Sequence, residues 1–474
     1  MGIARLKKSL IAAALAGGVA AAGLPAETAR AETLADAMAS AYQHNGLVDQ
    51  NRALLRAADE DVAQAVSALK PILNWTGDVT HTFNRGYNTT LGASIESSST
   101  AASLGLAASL LLYDFGTSSL RTEAAKELVL ATRETLRSAE QQVILRAAIA
   151  YLEVQRNQEF VRLRQNNTRV IGVELRAARD RFDVGEVTRT DVAIAEARLA
   201  AARSALAAAQ GALASAVEEY NAAVGHRPGK LAPPPRLPNP AKTVKAAKAI
   251  GLRDHPSMHE VQHQVAAAEL NIAAAKAAMS PTVTLRGTYG LSETFNSRAN
   301  NNGGTVGINV GGPIYQGGRL SSVVRKAMAQ RDSARAGLHQ ARSTVAQNVG
   351  NAWAQLQVAR ASREASDRQV RASTVAFRGT REEATLGART TLDVLNAEQE
   401  LLDARANLIS ATIDQHEARY RLLAAVGWLT AERLKLNVPK YDPAAYYNMV
   451  KTAPAQMSRQ GKQLDKVLRA LGKQ

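Results

Sequence analysis

His259 and His263 enclose Glu260 in the pattern H-E-x-x-H, which is the pattern of a zinc-dependent hydrolase. On a helix, two histidines four positions apart share one face and can bind zinc, and the glutamate between them can act as a general base. No histidine follows at a useful spacing, because Glu269 and Leu270 occupy those positions. We therefore interpret the pattern as a chance match on a polar helix face. We predict no metal and no cofactor, and a zinc metallopeptidase is a remote alternative.

Two Thr-x-x-Asp segments, Thr188 to Asp191 and Thr390 to Asp393, have the spacing of a helix-capping box. In that motif the hydroxyl and the carboxylate each bond to a free backbone N–H group, and the acid lies near the positive end of the helix. Arg389 precedes the second segment and can either pair with a carboxylate or lie in water. Capping alone and a functional role are both open interpretations, and they are compatible.

The most informative feature is an internal repeat with a constant offset of 202 residues. A spacing that is constant over such a length indicates a duplication with no net insertion. We predict two similar halves, 32–230 and 245–435, joined by a proline-rich linker, 231–244. A basic tail, 436–474, follows, and we expect it to be partly disordered. The matching pairs are Tyr113 and Tyr315, Gly185 and Gly387, Asp191 and Asp393, Glu196 and Glu398, and Gly225 and Gly427.

Each half is predicted to contain one shorter helix and one very long helical hairpin. The first helix, Leu34–Leu69, ends before Pro71, because a proline cannot continue a helix. The hairpins span 117–224 and 319–426 and turn at the glycines of the repeat. Their first arms, of about 67 residues, correspond to roughly 100 Å of helix. Apolar residues recur at heptad-like spacing, which indicates coiled-coil packing.

Four segments alternate between apolar and polar side chains, and each has about the length that a tilted strand needs to cross a bilayer. They are 72–83, 103–114, 282–291 and 305–315, and the loops within the two pairs, 84–102 and 292–304, are expected at the cell exterior. A soluble sheet with one wet face is the alternative. An open sheet edge in lipid leaves backbone groups without partners. A membrane barrel would therefore need several chains. The predicted apolar side consists of Leu73, Trp75, Val79, Leu104, Leu106, Leu110, Leu112, Val283, Leu285, Tyr289, Leu291, Val306, Ile308, Val310 and Ile314.

The first residues indicate export. Arg5, Lys7 and Lys8 precede an apolar run, 10–24, and Ala29–Ala31 offers a small-x-small cleavage site. We predict a secretory signal peptide over 1–31. The chain has no cysteine, which excludes disulfides and thiolate metal sites. After the signal peptide no apolar run has the length of about 18 residues that a membrane helix needs.

The formal net charge is +16, and aromatic residues make up only 4% of the chain. A basic chain can bind nucleic acid. Here the arginines lie among Glu and Asp along the predicted helices, without interleaved aromatic residues, and the chain is predicted to be exported. We therefore predict solvated helix faces and no nucleic acid partner.

The sequence resembles the TolC family of outer-membrane efflux and secretion proteins. The segments that carry the resemblance are LLLYDFG at 110–116, GPIYQGGR at 312–319, RFDVGEVTRTDV at 181–192 and LGARTTLDVLNAEQEL at 386–401. The motifs, their order and the duplication agree over nearly the whole mature chain.

The resemblance implies a mainly α protein with membrane β-structure in the cell outer membrane of a Gram-negative bacterium. Three copies would each give four strands to one twelve-stranded β-barrel, and the helices would continue it as a periplasmic tunnel. The family acts as the passive exit duct of tripartite efflux or type I secretion systems. The implied partners are a periplasmic adaptor, an inner-membrane pump or ABC transporter, and outer-membrane lipid. The exported substrate stays open.

The resemblance also implies roles for residues near the hairpin turns. Asp393 would form an acidic ring at the periplasmic entrance, and Asn396 stands where the family has a second carboxylate. Arg389 would link to Thr190 and Asp191 to hold the entrance closed, while Ala384 replaces a tyrosine link partner. Three symmetry-related carboxylates around a narrow lumen favour cations. The tips that would meet the adaptor are Val184, Gly185, Glu186, Leu386, Gly387 and Ala388.

The alternative to an outer-membrane duct is a periplasmic coiled-coil structural or adaptor protein. Adaptors also have long helical hairpins, but they lack two pairs of alternating strands. No phosphate-binding G-x-x-x-x-G-K-S/T loop is present, so the chain is not an energy-coupling subunit. No nucleophile, histidine and acid arrangement stands out either, and we predict that the chain is not an enzyme.

Overall fold

The structure is a computed structural model that describes residues 31–90, 92–235, 240–295 and 300–470. The predicted signal peptide up to Arg30 and residues 236–239 of the predicted linker lie outside the described residues.

The two halves of the chain have the same order of elements, and a short tail follows them. The first half contains α1 (Leu34–His44), α2 (Gly46–Ser67), β1 (Ile72–Asn88), β2 (Ala93–Tyr113), α3 (Thr117–Asp183) and α4 (Arg189–Val224). The second half contains α5 (Val244–Asp254), α6 (Pro256–Ala277), β3 (Thr282–Phe295), β4 (Asn300–Gly311), α7 (Arg319–Thr385) and α8 (Thr391–Ala425). The tail contains α9 (Ala445–Val450) and α10 (Arg459–Ala470).

The predicted single helix Leu34–Leu69 is wrong, because the chain breaks it at Asn45. Asn45 has an extended backbone, with φ −83° and ψ 120°, and its side chain accepts a hydrogen bond from the Leu47 N–H group. An asparagine that caps a helix in this way favours the start of a new helix, here α2, over the continuation of α1. His255 breaks the matching helix of the second half in the same manner, directly before Pro256.

The long helices pack side by side in the order α4, α3, α8, α7. Towards the sheet, α2 packs against α3, and α6 packs against both α3 and α7, while α1 and α5 pack against α3 and α7, respectively. The main core lies there and includes three fully buried tyrosines, Tyr151, Tyr220 and Tyr420. The Tyr151 hydroxyl lies 2.9 Å from the carbonyl oxygen of Glu32 and 2.6 Å from that of Ala232, and its single proton is shared between these two acceptors. Tyr151 thereby fixes Glu32, which precedes α1, beside Ala232 in the segment that follows α4.

The four strands form one antiparallel sheet in the order β1-β2-β3-β4. All four strands extend further towards the connecting loops than the sequence indicates. Most residues of the predicted loops 84–102 and 292–304 therefore belong to strands. Ser-, Thr- and Asn-rich strand ends pair with each other, as in Thr82 with Ser99, and such pairs are not visible in a hydrophobic pattern. The fourth strand ends earlier than predicted, at Gly311, and Ile314 lies outside it.

Most of the large apolar side chains of the four strands lie on one face of the sheet, and Ile72, Ile95 and Leu111 lie on the other. Trp75 lies opposite Leu106 and Leu106 opposite Tyr289, so the register carries the apolar face across the strands. Val79 is 71% exposed and Val306 is 82% exposed. Polar side chains occupy the other face, where the Ser103 hydroxyl bonds to the Asp78 carboxylate at 2.5 Å. A continuous apolar face that no part of the described chain covers indicates contact with lipid or with another molecule.

Within the described residues, no helix is both long enough and apolar enough to span a membrane.

The tail is more ordered than the sequence indicates. Leu436 and Val450 are buried, and residues between them contact the first half of the chain. The expected partial disorder is therefore wrong for this part of the tail. The stabilising contacts are made with α2, nearly 400 positions earlier, and composition does not reveal contacts over that distance.

Candidate functional site at the hairpin tips

The structure brings the two hairpin turns together at the end of the helical layer that is remote from the sheet. A cleft of about 590 Å³ lies between them. It is lined by Arg181, Glu186, Val187, Thr188 and Asp191 of the first hairpin and by Ala384, Thr385, Leu386, Gly387, Arg389, Thr390 and Thr391 of the second.

Both turns are built by the same backbone motif. Gly185 and Gly387 have φ of +79° and +77°, a conformation that glycine adopts without strain. The Glu186 N–H group donates to the Arg181 carbonyl at 2.8 Å, and the Ala388 N–H group donates to the Glu383 carbonyl at 2.9 Å. These bonds define a Schellman motif, which ends a helix sharply. The same local sequence signal therefore gives the same turn twice.

One apolar side chain projects from each turn. Val184 is 71% exposed and Leu386 is 84% exposed. Together with the neighbouring turn residues Gly185, Glu186, Gly387 and Ala388 they form the outermost surface of the hairpins. A partner that docks on these ends would cover both apolar side chains.

Thr188 with Asp191, and Thr390 with Asp393, form the two predicted capping boxes. The Asp393 carboxylate accepts from the Thr390 N–H group at 3.0 Å and from its hydroxyl at 2.8 Å. These bonds hold the pKa of Asp393 below its usual range, and the nearby Arg389 charge adds to the effect. The pKa of Asp191 is lowered by the matching bonds from Thr188. Both carboxylates are therefore anionic, and each is held at a helix N-terminus.

Arg389 does not make the predicted links within the chain. Its guanidinium bonds to Glu383 at 2.9 Å, across the turn of its own hairpin. Asp191 lines the same cleft on the other hairpin, and Thr190 precedes it in α4. The sequence did not point to Glu383. The internal repeat offers one signal. The matching positions of the first hairpin hold Arg181 and Val187, so only the second hairpin has an acid and an arginine at these two positions.

Asn396 lies one turn after Asp393 and connects the two hairpins. Its side-chain oxygen accepts a hydrogen bond from Arg198 of α4 at 3.1 Å. A carboxylate is not needed at this position for the contact, because an amide oxygen also accepts a hydrogen bond from a guanidinium.

Above the cleft, a group of buried polar side chains that the sequence did not reveal connects α3 with the second hairpin. Glu398 is 4% exposed and accepts a bond from the Asn167 amide at 3.4 Å. Burial raises the pKa of Glu398, and the bond from Asn167 lowers it in part. Glu174 pairs with Arg381 at 3.4 Å beside them. These contacts fix the spacing of the hairpins near their tips.

The H-E-x-x-H segment lies on α6, where its side chains face α3. His263 bonds through Nδ1 to the Glu127 carboxylate at 2.7 Å. Burial raises the pKa of Glu260, and a hydrogen bond from Thr135 lowers it in part. In the part of the chain that the structure describes, no three or more His, Cys, Asp or Glu side chains are grouped to hold a metal ion. The segment serves helix packing.

Comparison with known proteins agrees with this architecture. The sequence matches the family described as "Outer membrane efflux protein" over residues 37–226 and 251–428. It is 35% identical to the outer membrane efflux protein BepC of Brucella suis over 448 residues, which cover 94% of this chain and 95% of BepC. It is 26% identical to the outer membrane protein TolC of Vibrio cholerae over 423 residues, which cover 87% of this chain and 94% of TolC.

The fold is similar to that of solved outer-membrane channels. The crystal structure of VceC from Vibrio cholerae superimposes with a TM-score of 0.70 at 20% identity, covering 83% of this chain and 96% of VceC. The match in sequence and the four-stranded sheet beneath long helical hairpins lead to one conclusion: this chain belongs to the outer membrane efflux protein family, a family of channel proteins.

Proposed function

We propose that the protein is a homotrimeric duct that carries substrates from the periplasm through the outer membrane in a tripartite efflux or type I secretion system. The observation that carries the proposal is that the four-stranded sheet continues directly into the layer of long helices, and that both have free edges. An exposed apolar sheet runs directly into helices of 67 residues. At 1.5 Å per residue these helices extend for about 100 Å, which suits a tunnel across the periplasm.

Each layer has two unpaired edges. In the sheet they are β1 and β4, and in the helical layer they are α4 and α7. A ring of identical chains places β4 of one chain beside β1 of the next, and α7 beside α4, with a single rotation. Three chains would give twelve strands. A barrel closed in this way has no unpaired strand edge exposed to lipid.

The edge helices have side chains that suit such contacts. Val323, Val358 and Val375 of α7 are 43%, 68% and 72% exposed. They lie 35 and 17 residues apart, so they share one a/d seam of a heptad pattern. The open side of α4 is rich in exposed alanine, for example Ala200 and Ala207, and small side chains allow close approach of a neighbouring helix.

In the trimer, the hairpin tips form the periplasmic entrance. Asp393 and Asn396 would repeat three times around it, and the three carboxylates would favour cations. Arg389 is bound to Glu383 in its own chain. Its proposed links to Thr190 and Asp191 would therefore have to compete with that ion pair. A partner that binds the opened state more tightly shifts the population towards it.

The proposed partners are a periplasmic adaptor, which would contact Val184 and Leu386 at the tips, and an inner-membrane pump or ABC transporter that supplies the energy. The name of the BepC relative describes efflux, and we extend it to this chain as a proposal. We propose no catalytic activity. The alternative of a coiled-coil adaptor is less well supported, because it gives no role to the apolar face of a four-stranded sheet.

The test is the single-channel conductance of the purified protein in a planar bilayer, with Asp393→Ala and Asp36→Ala compared with the unchanged chain. Asp36 forms the same capping box with Thr33 on α1, so its variant controls for the loss of a cap. We expect cation-preferring channels whose preference falls in Asp393→Ala only. Equal behaviour of the three proteins would assign Asp393 to helix capping alone. A monomer that is extracted without detergent would overturn the duct itself.

A further inference from the structure

The tail of the chain follows α2 towards the sheet. The Arg52 guanidinium lies 4.9 Å from the centre of the Tyr441 ring. The Tyr446 hydroxyl donates to the Glu60 carboxylate at 2.6 Å. The Lys70 ammonium donates to the Ala453 carbonyl at 2.7 Å. The contacts follow the same order along the tail and along α2, so the two segments run parallel. Ala453 of the tail therefore lies beside the junction of α2 and β1.

That junction defines a level in the molecule. Lys70 lies between the end of α2 and Ile72, the first residue of β1. The helix α10 begins at Arg459, six positions after Ala453, and six residues of extended chain reach at most about 20 Å. The helix therefore begins close to the helical end of the sheet. If the sheet spans the outer membrane, as the proposed function requires, this level is the periplasmic surface of that membrane.

The side chains of α10 separate into two faces. Leu464, Val467 and Leu468 share one side of the helix, and Asp465 is its only acidic residue. Four basic side chains lie on the opposite side, and all four are exposed: Arg459, Lys462, Lys466 and Arg469. Met457, just before the helix, is 89% exposed. A short helix with a basic face and an apolar face is typical of a segment that lies in a membrane interface.

We propose that α10 binds anionic phospholipid headgroups at the periplasmic surface of the outer membrane. Charge complementarity supports this occupant, because lysine and arginine near an anionic bilayer are attracted to it within a Debye length. The fixed position of the tail supports it too, because the contacts along α2 hold the helix at the level where the sheet enters lipid. The inference rests on the proposed function and adds a lipid-binding site to it.

The absence of cysteine from the chain allows a direct test. The full-length Met457→Cys protein is labelled with an environment-sensitive fluorophore and placed in nanodiscs that contain a lipid with a headgroup-attached quencher. Discs of phosphatidylcholine are compared with discs that contain increasing fractions of phosphatidylglycerol. We expect quenching to rise with the anionic fraction and to weaken with added salt.

Charge reversal identifies the residues responsible. In Lys462→Glu/Lys466→Glu, the association constant of α10 with the anionic surface should fall by about 25-fold or more, since each of the two basic residues contributes roughly fivefold. Quenching at a given anionic fraction should fall accordingly. Lys242→Glu/Lys245→Glu is the matched control, because these two lysines are also exposed but lie at α5, away from the tail. The control should behave like the unchanged protein.

The outcomes separate the inference from the proposed function. Labelled trimers that stay in the discs and conduct ions, but whose quenching ignores lipid charge, overturn the lipid site and leave the duct intact. Quenching that depends on anionic lipid but not on Lys462 and Lys466 also overturns it. Protection of the label only in native membranes that contain other proteins would assign α10 to a protein partner instead. A chain that never enters the discs removes the duct, and the lipid site with it.

Discussion

The helices α3 and α7 have the same length and the same place in the repeat, but their surroundings differ. Both have 67 residues, and 21 residues of α3 are buried compared with nine of α7. The helix α3 lies inside the layer, between α4 and α8, whereas α7 is at its edge. A duplicated sequence therefore supplies one helix for the core of the chain and one whose outer side stays open, which the proposed trimer would place against the next chain.

The acid–arginine pairs beside these helices show the same contrast. In the second half, Arg335 pairs with Glu269 at 2.6 Å, with about half of each side chain exposed. In the first half, Arg133 corresponds to Arg335 at the repeat offset of 202. Asp59 corresponds to Glu269, because each is the fourteenth residue of its helix, α2 or α6. Asp59 is fully buried, and neither of its carboxylate oxygens has a hydrogen-bond partner within the described residues. Burial raises the pKa of Asp59 to about 6, although the Arg133 charge opposes the shift.

The largest effect should come from a charge placed in each long helix. Val154 of α3 is fully buried, and Val358 of α7 is 68% exposed. Val154→Asp should destabilise the fold by about 3 kcal/mol or more, so little folded protein is expected. Val358→Asp should leave the helical circular dichroism of the chain unchanged but prevent the trimer, as measured by light scattering in detergent. A stable trimer of Val358→Asp would show that α7 does not contact the neighbouring chain there.

The next effect concerns the buried acid. The pKa of Asp59 is raised in the folded state, so the folded chain binds the proton more tightly than the unfolded chain does. The protein gains stability as the pH falls through about 6 and loses it as the pH rises. Asp59→Asn should raise the free energy of unfolding by about 1–2 kcal/mol at pH 8, and the gain should disappear below the unfolded pKa of 3.8.

Glu269→Gln is the control for this prediction. It removes an exposed ion pair of the same type in the other half, and exposed pairs contribute about 1 kcal/mol or less. Thermal unfolding across the pH range measures both variants. A gain of the same size and pH dependence in Glu269→Gln would show that burial does not distinguish Asp59 from Glu269.

The smallest effect compares two glutamates at matching positions. Glu398 is buried near the hairpin tips, and Glu196 forms an exposed pair with Arg179. Because burial raises the pKa of Glu398, the charged form destabilises the fold at high pH. Glu398→Gln should raise the melting temperature by about 1–3 °C at pH 8, with less gain at acidic pH. Glu196→Gln should not raise it, and an equal rise in both variants would contradict the difference in burial.

Much of the fold could be predicted from the sequence, because strong local signals carry it. The alternation of Leu73 and Trp75 with polar neighbours, and the repeat from Gly185 to Gly387, depend on short-range periodicity and on a constant offset. The break at Asn45 was missed, because a capping asparagine inside an amphipathic run interrupts the helix without changing its pattern. The ordered tail was missed, because its order depends on contacts with α2.

The candidate site was predicted less completely. The capping boxes of Asp191 and Asp393 follow from spacing, and the structure contains both. The partner of Arg389 depends on how tightly the turn brings Glu383 back, and the amide of Asn396 depends on the distance to α4. These contacts are set by the packing of two hairpins, which spacing along the chain does not encode. The roles of these residues in gating stay predictions.

The bond from Lys70 to Ala453 of the tail joins residues that are 383 positions apart. Contacts between residues so distant in sequence form late, because a long loop must close before they are made. A chain that crosses the inner membrane with its N-terminus first cannot complete this contact until almost all of it has reached the periplasm. The contact at the base of β1 is then made last, and a chain without the tail has every strand and both hairpins but lacks this contact.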